Sequence, residues 1–343
     1  MVYPAAVKYL ALVVLLVGCS GSADDDDSVA PFDPGPSPYS LDGVLQLPHV
    51  QAKGTHNSYH QQPDPVWDAS HRYTHDPLDV QLEQHGVRQF ELDLHYRTGA
   101  GFEIFHLPLI DEETTCRALA DCLATVRGWS DVNPWHLPIV VWVEPKDEDA
   151  DSLDPELEPL SGRWDEFDGA LIDALGRDRI VTPDDVRGSH ATLPAALQAE
   201  GWPTLGTMRG KFVFAMLDGG DARAEYLDGH AAAAGRVLFP GASSPDDPWA
   251  AMFKINDAAA ESARVSELVA QGFVVTSNAG SADGEDNPQR WADSLAAGAN
   301  FLSTDLPAEH ATDWFADVPD GAPARCNPVS APAECTAAEL ESL

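Results

Sequence analysis

Phe90-Glu91-Leu92-Asp93-Leu94-His95 alternates apolar and ionisable residues, and Gln89 to Leu94 reads as a single β-strand. Successive side chains of a strand point to opposite faces, so Glu91 and Asp93 project from one face while Phe90, Leu92 and Leu94 cover the other. A parallel-sheet strand with a purely structural task is apolar on both faces. Two carboxylates on one face therefore mark a strand that serves a site.

Outward from this stretch, short apolar or alternating runs recur at Val50–Thr55, Glu103–His106, Ile139–Val143, Lys211–Met216, Met252–Ile255, Phe273–Thr276 and Phe301–Ser303. With Gln89–Leu94 they make eight candidate strands. Between them, Leu78-Val80-Leu82, Leu119-Leu123-Val126, Phe167-Leu171-Ile172-Leu175 and the surroundings of Leu295 carry the spacing of helices with one apolar face. Strand alternating with helix implies a parallel sheet, and eight such units imply closure into a TIM-type (β/α)8 barrel. The chain of 343 residues accommodates that barrel as a single domain.

Polar residues gather where the candidate strands end. Lys53-Gly54-Thr55-His56-Asn57-Ser58-Tyr59 closes the first, Phe105-His106-Leu107-Pro108 the third, and Val141-Trp142-Val143-Glu144-Pro145-Lys146 the fourth. Singly, each has a structural reading: His106 as a buried histidine, Glu144 paired with Lys146, Glu91 or Asp93 paired with Arg88 or Arg97. Together they place ionisable groups at the ends of four successive strands, the rim where barrel enzymes carry their chemistry. Asn57, Glu91, Asp93 and Glu144 offer only hard oxygen ligands, which select calcium or magnesium over zinc. Three carboxylates held together repel unless a divalent cation neutralises them. His56 and His106 are suited to proton transfer near neutral pH, one as acid and one as base. Lys146, Lys53 and Lys254 are candidates for a further positive charge at a substrate phosphate.

The run Gly54-Thr55-His56-Asn57-Ser58-Tyr59, the Glu91-x-Asp93 pair, His106 and Glu144 resemble, in order, the set used by calcium-dependent phosphoinositide-specific phospholipases C. The resemblance implies that Asn57, Glu91, Asp93 and Glu144 bind Ca2+ and that His56 and His106 are the catalytic histidines. It also implies attack of an inositol 2-hydroxyl on phosphorus, releasing diacylglycerol and an inositol cyclic phosphate. His56 is then nearest the attacking hydroxyl, and His106 protonates the leaving oxygen. A glycerophosphodiester phosphodiesterase shares the Glu-x-Asp pair, but its first-strand motif continues His-Arg where this chain has His56-Asn57. A sphingomyelinase-D-like phosphodiesterase is a weaker variant of the same chemistry. A surface lipoprotein with an inert barrel would need neither histidine, and both are present.

The ends of the chain and its composition add the setting. Residues 1–18, apolar from Tyr9 to Val17 and closed by Leu16-Val17-Gly18-Cys19, resemble a lipoprotein signal peptide, with Cys19 as the lipidated residue. Residues 19–46, rich in Asp, Pro, Gly and Ser, read as an extended tether, and residues 47–343 as the catalytic barrel. Cys116, Cys122, Cys326 and Cys335 remain as an even set in a chain expected to be exported, hence two short-range disulfides. A net charge of −36, from 56 acidic against 20 basic residues, excludes nucleic acid as a partner. It also argues against electrostatic recruitment to anionic membrane, so a phosphatidylinositol-like substrate has to be reached through the anchor, local insertion or a bridging cation. Nothing in the sequence indicates a protein partner.

Overall fold

The computed structural model describes residues 32–147, 154–309, 314–319 and 323–341. The expected signal peptide and Cys19 lie outside these residues. The strands are β1 (Val50–Thr55), β2 (Val87–Arg97), β3 (Gly101–Ile104), β4 (Ile139–Pro145), β5 (Leu157–Glu158) and β6 (Ile180–Val181). They continue with β7 (Phe212–Met216), β8 (Phe239–Pro240), β9 (Met252–Lys254), β10 (Val274–Gly280), β11 (Phe301–Thr304) and β12 (Ala324–Cys326).

Neighbouring strands are parallel along the order β6-β7-β4-β2-β1-β11-β10-β9. β8 is also parallel to β7, pairing with its last residues where β6 pairs with its first. Just beyond β8, Gly241 N–H donates to Met216 O at 3.0 Å and Ala242 N–H to Met252 O at 2.9 Å, so this segment links β7 to β9. The sheet is the curled parallel sheet expected for the barrel.

Two expectations change. Glu103–His106 is not a barrel strand, because β3 runs antiparallel to β2, with Leu94 opposite Ile104 and Arg97 opposite Gly101. Only Thr98–Ala100 separate the two strands, and a parallel crossover needs about a dozen residues or more. Gly99 and Gly101, at φ of 81° and 85°, supply the backbone that this tight return requires. Two parallel strands lie outside the expected set, β6 and β8, each a two-residue element without alternation of its own.

Side-chain alternation sorts the sheet into two faces. Phe90, Leu92 and Leu94 of β2, Val141 and Val143 of β4, and Phe212 and Phe214 of β7 pack with helices α1 (Leu78–Gln84), α2 (Leu119–Val132) and α3 (Trp164–Leu175). The alternate positions, Val140 and Trp142 of β4 and Val213 and Ala215 of β7, join a second apolar cluster. Trp142 is fully buried there, and its Nε1–H donates to Thr276 Oγ1 of β10 at 2.9 Å, crossing from β4 to the far side of the sheet.

Residues 32–46 are not the extended tether expected of them. Asp42 is buried against Arg209, with Oδ1 2.7 Å from Nη2, and the Tyr39 ring lies 3.9 Å from the guanidinium. Leu45 and Leu47 belong to the core. A charge that enters the interior needs a partner, and Asp42 is the partner for Arg209 at the entry to β7. Arg88, at the start of β2, is paired in the same way by Glu341 near the chain's other end. The four cysteines form the two expected disulfides, Cys116–Cys122 and Cys326–Cys335. No helix among the described residues is long and apolar enough to cross a membrane.

Candidate active site

β1 and β2 approach so closely that a side chain at Gly54 would collide with Gln89. Beyond β1 the chain turns through Asn57 at φ 42°, a conformation asparagine adopts more readily than most residues. Ser58 then fastens the turn to β2: its N–H donates to Glu91 O at 2.9 Å, and its hydroxyl accepts from Glu91 N–H at 2.8 Å. This lock sets His56 beside Glu91 of β2, with Nε2 3.6 Å from Oε1.

β2 and β4 pair with Asp93 directly opposite Glu144. Glu91, Asp93 and Glu144 thereby offer oxygens that all lie within 4.8 Å of one another. Two lysines answer them. Lys146 Nζ is 3.0 Å from Asp93 Oδ2 and 2.8 Å from Glu144 Oε1, and Lys254 Nζ is 2.5 Å from Glu91 Oε2. Burial opposes the charge on Glu91, but Lys254 and His56 outweigh it and hold that carboxyl below the ordinary range. Glu144 goes the other way, pushed up by burial and by Asp93 despite Lys146.

The cluster fits a hard divalent cation. Its donors are carboxylate oxygens, and Oδ1 of fully buried Asp93 lacks a hydrogen-bond partner. Buried like charges that raise a carboxyl's pKa, as Asp93 does for Glu144, are the condition such an ion relieves. Asn57 is buried two residues beyond the end of β1. Lys53 is not brought to the site: its ammonium donates to Pro307 O at 2.7 Å and Ala316 O at 3.2 Å, fixing the segment after β11.

Both histidines are oriented through Nδ1. His56 Nδ1 lies 2.8 Å from Asp305 Oδ1, while Nε2 faces Glu91 Oε1 at 3.6 Å. Burial alone would lower its pKa, but Asp305 and Glu91 prevail and raise it to about 9. His106 Nδ1 lies 2.8 Å from Asp111 Oδ2. Burial disfavours the charge of Asp111, yet the hydrogen bonds from His106 and His60 hold its carboxyl down at about 2. His75 and His95 are pushed down to about 4 by burial and stay neutral, one bonding His56 O and the other Phe105 O. They buttress the loops that carry His56 and His106.

Asp305 and Asp111 stand outside the sequence-based expectations. Asp305 directly follows β11, so the rule that finds Glu144 at a strand end applies to it as well. Asp111 carries no such signal, because it sits in a turn whose bend brings it back to His106, with Leu107 N–H donating to Asp111 O at 2.9 Å. Next to the carboxylates opens a cleft of about 660 Å³ lined by Glu144, Lys146, Asp147, Leu217, Asp218 and Asp221.

The fold has counterparts. The family model for phosphoinositide phospholipase C, Ca2+-dependent, matches residues 45–101 and 95–328. No curated protein matches the chain. Among solved structures, a Ca2+-dependent phosphatidylinositol-specific phospholipase C from Streptomyces antibioticus aligns at TM-score 0.56 and 21% identity, over 77% of this chain and 96% of that one. A calcium-dependent phosphoinositol-specific phospholipase C from a Gram-negative Pseudomonas species aligns at TM-score 0.55 and 16% identity, over 80% and 95%. At such identities these two likenesses speak for the fold; the family model speaks for descent. The chain belongs to the Ca2+-dependent phosphoinositide phospholipase C family.

Proposed function

We propose that the protein cleaves phosphatidylinositol-type lipids to diacylglycerol and an inositol cyclic phosphate, with His56 and His106 as the proton-transfer pair. The observation that carries this reading is that both histidines are held at Nδ1 by a carboxylate, His56 by Asp305 and His106 by Asp111, with His56 Nε2 also facing Glu91 of the cluster of three carboxylates. In its neutral form His56 takes the proton of the inositol 2-hydroxyl at Nε2, and that oxygen attacks phosphorus. The bond from phosphorus to the glycerol oxygen breaks as His106 supplies its proton. Asp305 and Asp111 keep each ring aligned and stabilise its charged form, as the carboxylate of a catalytic triad does. Glu91, Asp93 and Glu144, with Asn57, would hold Ca2+, which would supply positive charge to stabilise the charge that develops during phosphoryl transfer. Lys146 and Lys254 balance the carboxylates and stand ready to meet phosphate oxygens.

The adjoining cleft favours an inositol ring without further phosphates. Among its lining residues Lys146 is the cation, already engaged by Asp93 and Glu144, whereas Asp147, Asp218 and Asp221 are acidic. Hydroxyl groups donate to carboxylates; additional phosphates would be repelled.

A chain of net charge −36 needs an apolar route to the bilayer. Trp67, Leu109, Ile110 and Phe315 are exposed and lie on the segments that follow β1, β3 and β11. Their insertion supplies contact that electrostatics withholds. Export and a lipid anchor at Cys19 belong to the same proposal, and two formed disulfides agree with an oxidising compartment. Phosphorus NMR of phosphatidylinositol incubated with the protein tests the reaction: a cyclic phosphodiester signal is expected, and glycerophosphate as the product would refute it.

A further inference from the structure

A second group of ligating side chains lies at the rim and shares no residue with the carboxylate cluster. His60, His71 and His106 converge on Asp111. His106 Nδ1 is 2.8 Å and His71 Nδ1 3.4 Å from Asp111 Oδ2, and His60 Nε2 is 3.0 Å from both carboxylate oxygens. Ligand atoms of His71, His106 and Asp111 all lie within 4.8 Å of one another. Two donors bound about 2.0–2.1 Å from a tetrahedral ion stand roughly 3.4 Å apart, so small movements bring these three around one metal.

His71 Nδ1 is buried and makes no hydrogen bond. The rings of His71 and His106 are 5.0 Å apart and 79° from coplanar, so their nitrogens approach the same oxygen from different directions. His60 is fully buried and holds both oxygens of the carboxylate, as an outer partner that orients a metal ligand does. The His71 and His106 side chains keep 12% and 18% exposure, which leaves a path for an ion.

Two imidazoles and one carboxylate form a donor set for a borderline metal, unlike the all-oxygen calcium cluster. We propose that His71, His106 and Asp111 bind Zn2+, or a divalent ion of the same chemistry, with water completing the coordination, and that occupancy inhibits the enzyme. Binding releases the proton shared between His106 Nδ1 and Asp111 and ties the ring to the ion. The inhibitory part rests on the reading of His106 as the proton donor; the binding part does not.

The test uses the full-length protein at saturating Ca2+, with Zn2+ titrated calorimetrically, Co2+ as an absorbing probe, and phosphatidylinositol cleavage measured in parallel. One Zn2+ per chain is expected, together with the visible bands of tetrahedral Co2+ and inhibition at the same midpoint. In His71→Ala, and in His71→Gln as a second variant, binding and inhibition weaken at least tenfold, each variant compared with its own zinc-free rate. Unchanged Zn2+ binding in both variants, or none in the wild type, overturns the proposal. Zn2+ binding through His71 in a protein that cleaves no phosphoinositide upholds the metal site and overturns the assigned reaction.

Discussion

Nδ1 of His56 and Oδ1 of Asp305 are 2.8 Å apart, a hydrogen bond that joins the exit of the first barrel strand to that of the last. Replacing Asp305 by Asn keeps the shape and removes the charge. We expect kcat to fall about 10²-fold or more with little change in KM, the scale of a lost acid–base alignment. The same variant lowers the His56 pKa from about 9 toward ordinary histidine values, which NMR titration of the calcium-free protein reads. Because the folded value lies above the unfolded one, the His56 contribution to stability is full below about 6.5 and is lost as pH rises through about 9. Asp305→Asn should flatten that alkaline loss.

Glu144 predicts a link between acidity and calcium. Its pKa is raised by burial and by Asp93, so protons compete with the ion above the usual carboxylate range. The folded calcium-free protein binds this proton more tightly than the unfolded chain does, so its stability falls as pH rises through the folded value. Calcium should abolish that fall, and apparent calcium affinity should decline on acidification from pH 7. Glu144→Gln should weaken calcium binding by roughly tenfold or more, read by calorimetry.

The pair of Arg209 and Asp42 tests whether residues 32–46 belong to the folded body. Asp42→Ala strands a buried guanidinium that also bonds Trp135 O and Leu340 O. A loss of about 3–5 kcal/mol in urea unfolding is expected. A change within about 0.5 kcal/mol would return this segment to the role of a tether.

Leu109→Asp with Ile110→Asp examines the membrane route. Both side chains are exposed, so folding should be unaffected. Cleavage of lipid in vesicles should fall about tenfold, the scale of removing two apolar contacts, while cleavage of a soluble monomeric substrate should be unchanged. Equal loss on both substrates would place these residues in catalysis instead.

Alternation makes most of the barrel and its cation site legible. Glu91, Asp93 and Glu144 stand out because period-two strands put charge where a core strand has none. β8 is not legible, since Phe239–Pro240 is a strand only by virtue of its neighbours. β3 is legible as a strand, but alternation does not tell a barrel member from an antiparallel return; its short, glycine-containing connection to β2 does. Asp42 is hidden within a stretch whose composition suggests a solvated linker, because only the fold supplies Arg209. Asp111 is hidden for a related reason, its role arising from a turn and three histidines that converge from different segments.

The decisive experiment is diacylglycerol release from phosphatidylinositol vesicles by the full-length protein, with calcium and with excess chelator, and with glycerophosphoinositol as a parallel substrate. We predict calcium-dependent diacylglycerol release that is abolished in His56→Ala and His106→Ala while calcium binding persists. Release of glycerol phosphate instead, or no lipid cleavage at saturating calcium, would overturn the assignment of this site to phosphoinositide cleavage.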